Sequence, residues 1–170
     1  MATDVDARAS RALRGFTTSG QLFDALRASA TMPVVAGPPC AYDGRRYLDA
    51  SITEPIPLPT AERDGHTHVL ALLTRGGGMR PRPSALDRYF VGPRLRRLSP
   101  ELAARYLGRA VPYTALVRNI DAGTGPLGRA AVRAIRVPDY SIGRLERRRD
   151  ILEKGARLGY DAVMAAFGSL

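Results

Sequence analysis

Residues Ala28–Pro57, ASATMPVVAGPPCAYDGRRYLDASITEPIP, decide the reading of this chain. Upstream of them Ser19 precedes Leu22, Phe23 and Leu26 at helical spacing, so a short helix is expected over 20–28. Pro33 cannot continue it, because proline lacks the N–H that a helix interior requires. Residues 39–42 and 45–48 then flank Asp43-Gly44, a pair that tolerates the positive φ angles of a two-residue hairpin turn. The second strand of that hairpin ends on Asp49, which Ala50 and Ser51 follow, with Pro55 and Pro57 behind them.

Outward from this hairpin the pattern alternates between helix and strand. A brief helix over 59–64 closed by Gly65 leads to His68–Leu73, HVLALL, a continuous apolar run expected to be a strand buried on both faces. Residues 74–97 are rich in Gly, Pro and Arg and read as a long irregular connection. Ser99-Pro100-Glu101 is a helix start, with a capping hydroxyl and proline at the first helical position; Leu102, Tyr106 and Leu107 give that helix an apolar side. Pro112 is expected to interrupt it before Tyr113, Leu116, Val117 and Ile120 begin a second amphipathic helix. A strand over 131–137 stopped by Pro138, and a terminal helix over 144–167 weakened at Gly155 and Gly159, complete the series. The opening segment to Gly15 has helical composition without a strong cap. There is no internal repeat. The fold class expected is α/β, a partial sandwich with a mixed or mainly parallel sheet flanked by helices.

The 28–57 stretch resembles the aspartate-bearing segment of patatin-like lipid acyl hydrolases. In that family a helix ends in a small-residue turn before proline, a hairpin with an Asp-Gly turn follows, and its second strand delivers an aspartate. The matching residues are Ala28-Ser29-Ala30, Pro33, Asp43-Gly44 and Asp49-Ala50-Ser51. The likeness extends over roughly 20–168, through Arg144-Leu145-Glu146 and Leu158-Gly159-Tyr160-Asp161-Ala162. It implies one incomplete domain: an aspartate-motif half over 19–75, a basic connection over 76–98, and a helical tail with one strand over 99–170. It also implies hydrolysis of lipid esters by a Ser-Asp dyad, with Asp49 as the base, Pro33, Val34 and Val35 on the acyl-chain side, and no cofactor or metal.

A serine hydroxyl is a weak nucleophile until a base takes its proton, and the oxyanion that forms needs preorganised N–H donors. The strained elbow that presents such a serine requires glycine on both sides, as G-x-S-x-G. The sequence holds no such elbow; Ser19 lies in TTSGQ and Ser141 in DYSIG. The chain alone is therefore expected to be inactive, with the nucleophile on a separate N-terminal segment or lost. The family usually places glycine directly after the aspartate. Ala50 stands there, and alanine would cost about 1 kcal/mol or more if that position needed positive φ. Glu54 replaces the usual later Asn or Asp. Asp49 also has a plainer reading, as a strand-end aspartate bonding nearby backbone N–H groups.

Other motifs carry less. Arg75-Gly76-Gly77-Gly78-Met79-Arg80 matches an oxyanion loop in composition, but follows Asp49 where the family loop precedes it; it reads as a connection. Gly123–Gly128, GTGPLG, fits G-x-G-x-x-G without a preceding strand, which argues against dinucleotide binding. His66 and His68 alternate on an incoming strand with no third ligand at recognisable spacing. Cys40, the only cysteine, excludes an internal disulfide and reads as a small core residue.

The 170 residues are 45% hydrophobic, enough for a packed core. No apolar run is long enough to span a bilayer and the first residues are not a signal sequence, so the expected location is cytoplasmic, or peripheral at a membrane. The net charge of +10 is uneven: residues 1–75 hold 8 basic and 8 acidic side chains, residues 76–170 hold 18 and 8. Arg80, Arg82, Arg88, Arg94, Arg96 and Arg97 face only Asp87 in their stretch. Such a field suits a solvated loop, or an alternative function as a non-enzymatic basic module for anionic lipid or nucleic acid. Arg147-Arg148-Arg149 reads as a solvated helix face.

Overall fold

The computed structural model describes residues 1–74, 83–137, 140, 142 and 146–168. The glycine-rich string at 75–80, together with Arg82, Pro138, Ser141 and Arg144-Leu145, lies outside the described residues. The chain forms two compact units, one from Met1–Thr60 with Pro81–Ala115, the other from Ala61–Arg80 with Leu116–Leu170. The class is mixed α/β, with two sheets among the described residues, one antiparallel and one parallel.

In the first unit, β1 (Ala2–Asp4), β2 (Ala9–Arg11), β3 (Cys40–Tyr42) and β4 (Arg45–Leu48) form an antiparallel sheet in the order β2-β1-β4-β3. The opening segment is thus a hairpin rather than a helix. Asp4 Oδ1 accepts the N–H groups of Asp6 and Ala7, so an aspartate turn reverses the chain, and Arg8 adopts φ 53°. The β3–β4 hairpin turns on Asp43 (φ 47°) and Gly44 (φ 68°), the left-handed pair of a type I′ turn. Helix α1 (Ser19–Ser29), capped by the Thr18 hydroxyl on the Gln21 N–H, packs on β3 and β4 through Ala25 and Ala28.

Residues 85–98, expected to be irregular, are helical: a π turn over Asp87–Val91 runs into α3 (Gly92–Leu98). Pro93 has no N–H to give the Tyr89 carbonyl, and the turn widens so that Gly92 N–H reaches Asp87 C=O, five residues back. Helix α4 (Pro100–Gly108) starts at Ser99, whose hydroxyl accepts the Leu102 N–H. The main core joins Val5, Leu48, Ile52, Val91, Leu95, Leu102 and Tyr106.

The expected break at Pro112 does not occur there. The chain turns at Arg109 instead, and Pro112 sits in the first turn of α5 (Ala110–Asp121), where no helical N–H is lost. Helix α2 (Leu58–Arg63) leads to the second unit, in which β5 (His68–Leu73) pairs in parallel with β6 (Ala131–Arg136), Leu70 opposite Arg133. β5 is not buried on both faces: Leu70 and Leu72, which alternate onto one face, are 46% and 61% exposed. Helix α6 (Arg149–Phe167) packs on β6 and runs unbroken through Gly155 and Gly159. A Cβ at Gly155 would lie 2.4 Å from Ile142 Cδ1, so close packing explains that glycine.

Candidate functional site

Asp49 leaves β4 in an extended conformation (φ −48°, ψ 133°) and caps a 3₁₀ turn over Ala50–Ile52. Three contacts fix its backbone. Its N–H donates to Thr31 C=O at 2.8 Å, which ties the end of the α1 segment to the aspartate across the intervening hairpin. Its C=O accepts the Thr3 hydroxyl at 2.8 Å. Thr3 Oγ1 is in turn 2.9 Å from Thr53 Oγ1, and the Ser10 hydroxyl donates to Thr53 at 2.9 Å. Since the Thr3 proton goes to a carbonyl, Thr53 must donate to Thr3. The hydroxyls therefore form a one-way relay, Ser10 to Thr53 to Thr3 to Asp49 C=O, in which each bond polarises the next. Thr3 is fully buried, so this relay is shielded from water at its inner end.

The Asp49 carboxylate is half-buried, and its Oδ1 accepts the Ser51 N–H at 2.8 Å. The plainer reading of Asp49 as a local cap is therefore part of the structure. Its second oxygen, Oδ2, bonds none of the described residues, and no described serine hydroxyl reaches the carboxylate. Ala50 lies in the 3₁₀ turn and is not among the residues with positive φ, so alanine costs nothing there. Glu54 is buried and accepts the Thr60 N–H at 2.9 Å and the Thr60 hydroxyl at 2.8 Å, holding the start of α2.

The three residues assigned to an acyl-chain side separate. Pro33 is buried and lines a recess with a cavity volume of about 160 Å³, together with Pro38, Pro39, Leu48, Arg94 and Arg97. Val34 and Val35 do not line it; they are 46% and 53% exposed on the loop that follows. Val34 adopts φ 76°, a left-handed conformation that a β-branched side chain resists. Strain of this kind gathers at functional sites and costs about 1–3 kcal/mol. Cys40 is half-buried on β3, packed beside Ala2, Ala28 and Tyr47. Ser19 opens α1 and is exposed.

Two charged clusters were not legible in the sequence. Asp87 accepts the Tyr106 hydroxyl at 2.5 Å, Arg109 Nη2 at 2.9 Å and the Ser84 N–H at 2.9 Å. Burial alone would raise its pKa, but these donors together hold the carboxyl well below the usual carboxylate range. In the second unit, Glu62 accepts the N–H groups of Leu127 at 2.7 Å, Arg129 at 2.9 Å and Ala130 at 3.0 Å. Desolvation opposes its charge and those three N–H groups outweigh it, so its pKa is lowered. Of the glycine string at 123–128 only the Leu127 amide reaches that carboxylate; the Gly123, Gly125 and Gly128 amides donate to backbone carbonyls, and Arg129 and Ala130 just after the string supply the other two donors. A Cβ at Gly125 would come within 2.2 Å of that carboxylate, which leaves room for glycine alone.

His66 and His68 are exposed, and His68 Nδ1 lies 3.0 Å from Thr67 Oγ1. Among the described residues, no three His, Cys, Asp or Glu side chains converge as a metal site. No helix of the described residues is long and apolar enough to cross a membrane. No protein-family model, curated protein or solved structure matches the chain.

Proposed function

We propose that Asp49 is the base of a patatin-like Ser-Asp acyl hydrolase site acting on lipid esters, with the nucleophilic serine supplied by a polypeptide segment outside these 170 residues. The observation that supports this is the asymmetry of the Asp49 carboxylate. One oxygen is fixed by the Ser51 N–H while the other carries no bond from the described residues, on a backbone held by Thr31 and the hydroxyl relay. A base needs that combination: one oxygen to set orientation, one to receive a proton. Such a dyad would take the serine proton during acyl transfer and later activate the water that releases the acyl group.

The purified chain alone is expected to show no steady hydrolysis of a short-chain p-nitrophenyl ester. Turnover by the chain alone that Asp49→Ala abolishes would place the nucleophile inside it and overturn the split arrangement.

A further inference from the structure

Residues 88–97, RYFVGPRLRR, form the π turn and most of α3, and their burial divides them cleanly. Val91 and Leu95 are fully buried in the main core. Tyr89 and Phe90 are 74% and 59% exposed, and Arg88, Pro93, Arg94, Arg96 and Arg97 are exposed with them. Tyr89 and Phe90 lie in the π turn, and within α3 Arg94 and Arg97, at i and i+3, share one stripe beside Arg96. The outward face therefore carries aromatic rings at its beginning and guanidinium groups at its end.

None of Arg88, Arg94, Arg96 or Arg97 has a counter-ion among the described residues. The acid just before the segment, Asp87, is buried and already holds Tyr106 and Arg109. Arg94 and Arg97 also line the recess with Pro33, Pro38 and Leu98, so cationic and apolar groups share it.

We propose that this face docks on an anionic lipid surface, Tyr89 and Phe90 entering the headgroup layer while Arg94, Arg96 and Arg97 meet lipid phosphates. Charge complementarity selects an anionic partner, and the apolar share of the face selects lipid over nucleic acid. Exposed aromatic rings beside basic side chains suit the boundary between headgroups and acyl chains. The inference is independent of Asp49 chemistry and stands or falls separately from it.

The test is co-sedimentation of the full chain with phosphatidylcholine vesicles, with and without a phosphatidylserine fraction, at about 0.15 M salt. Binding is expected to the mixed vesicles and to be far weaker to phosphatidylcholine alone. Arg94→Gln with Arg97→Gln should weaken it about 30-fold, from about 1 kcal/mol per basic residue near the surface. Tyr89→Ser with Phe90→Ser should weaken it at least about 10-fold with the helical circular dichroism unchanged, since both rings are exposed and support no core. Arg147→Gln with Arg157→Gln removes the same charge from exposed positions of the second unit and should change binding by less than about threefold. An equal loss in the two arginine pairs would reduce the effect to net charge and overturn the proposal. Retention of binding after Tyr89→Ser with Phe90→Ser, or tighter binding to single-stranded RNA than to the mixed vesicles, would overturn it as well.

Discussion

The two units differ in what holds them. Around Asp49 the chain is braced by long-range side-chain bonds over a dense core, with Leu48, Leu95, Leu102 and Tyr106 fully buried. In the second unit, among the described residues, β5 and β6 pair alone, α6 buries no residue completely, and Leu72, Tyr160, Met164 and Phe167 stay about half exposed or more. Order there comes from the parallel ladder and from the Glu62 carboxylate that gathers three backbone N–H groups. Apolar burial and buried charge thus play unequal parts in the two regions, and substitutions should separate them.

The largest effect is expected at Asp87. Asp87→Ala takes the buried carboxylate from the Arg109 guanidinium and the Tyr106 hydroxyl, and should destabilise the first unit by about 3–5 kcal/mol in urea denaturation. Amide exchange should quicken there and leave the β5–β6 ladder unchanged. The same residue sets an acid limit. Because its folded pKa is depressed, Asp87 contributes stability that is complete above its unfolded value, about 3.9, and is lost as pH falls toward the lower folded value. Asp87→Ala should remove that part of the slope below about pH 4.

Gly125→Ala inverts the comparison. The new methyl would displace the Glu62 carboxylate from its three N–H partners, and about 1–3 kcal/mol of destabilisation should appear in the second unit alone. Thr53→Val is smaller. It cuts the hydroxyl relay at its middle, leaving Ser10 and Thr3 short of a partner, and should cost the first unit about 1–2 kcal/mol in thermal unfolding. The smallest change has the opposite sign. Val34→Gly releases the left-handed strain at an exposed position and should raise stability by up to about 1 kcal/mol, despite the added freedom of glycine in the unfolded chain.

What was legible in the sequence was what local chemistry specifies. Asp43-Gly44 dictates its turn from two residues, Ser99-Pro100 dictates a helix start, and the strand end at Asp49 follows from the hairpin. The β1–β2 hairpin escaped because its turn relies on the Asp4 side chain rather than on glycine. The helix at 92–98 escaped because Gly92, Pro93 and a high density of arginine imitate a loop, while Pro93 sits harmlessly near the start of the helix. Glu62 had no local signal, and Asp87 only that of the Ser84-x-x-Asp87 capping box, which says nothing of its later partners. Glu62 meets partners more than sixty residues later, and Asp87 meets Tyr106 and Arg109 only after α3 has intervened. For Asp49, sequence supplied the candidate. The Thr3–Thr53–Ser10 relay that holds it joins residues some forty to fifty positions apart and emerges only in the folded chain.

The proposal for Asp49 is tested most directly by co-expressing the chain with the polypeptide encoded immediately upstream of it and following p-nitrophenyl ester hydrolysis. The expected result is turnover by the pair, none by either part alone, and loss of turnover in Asp49→Asn with the melting temperature of the pair unchanged. Turnover that survives Asp49→Asn, or a stable pair with no turnover, would contradict it.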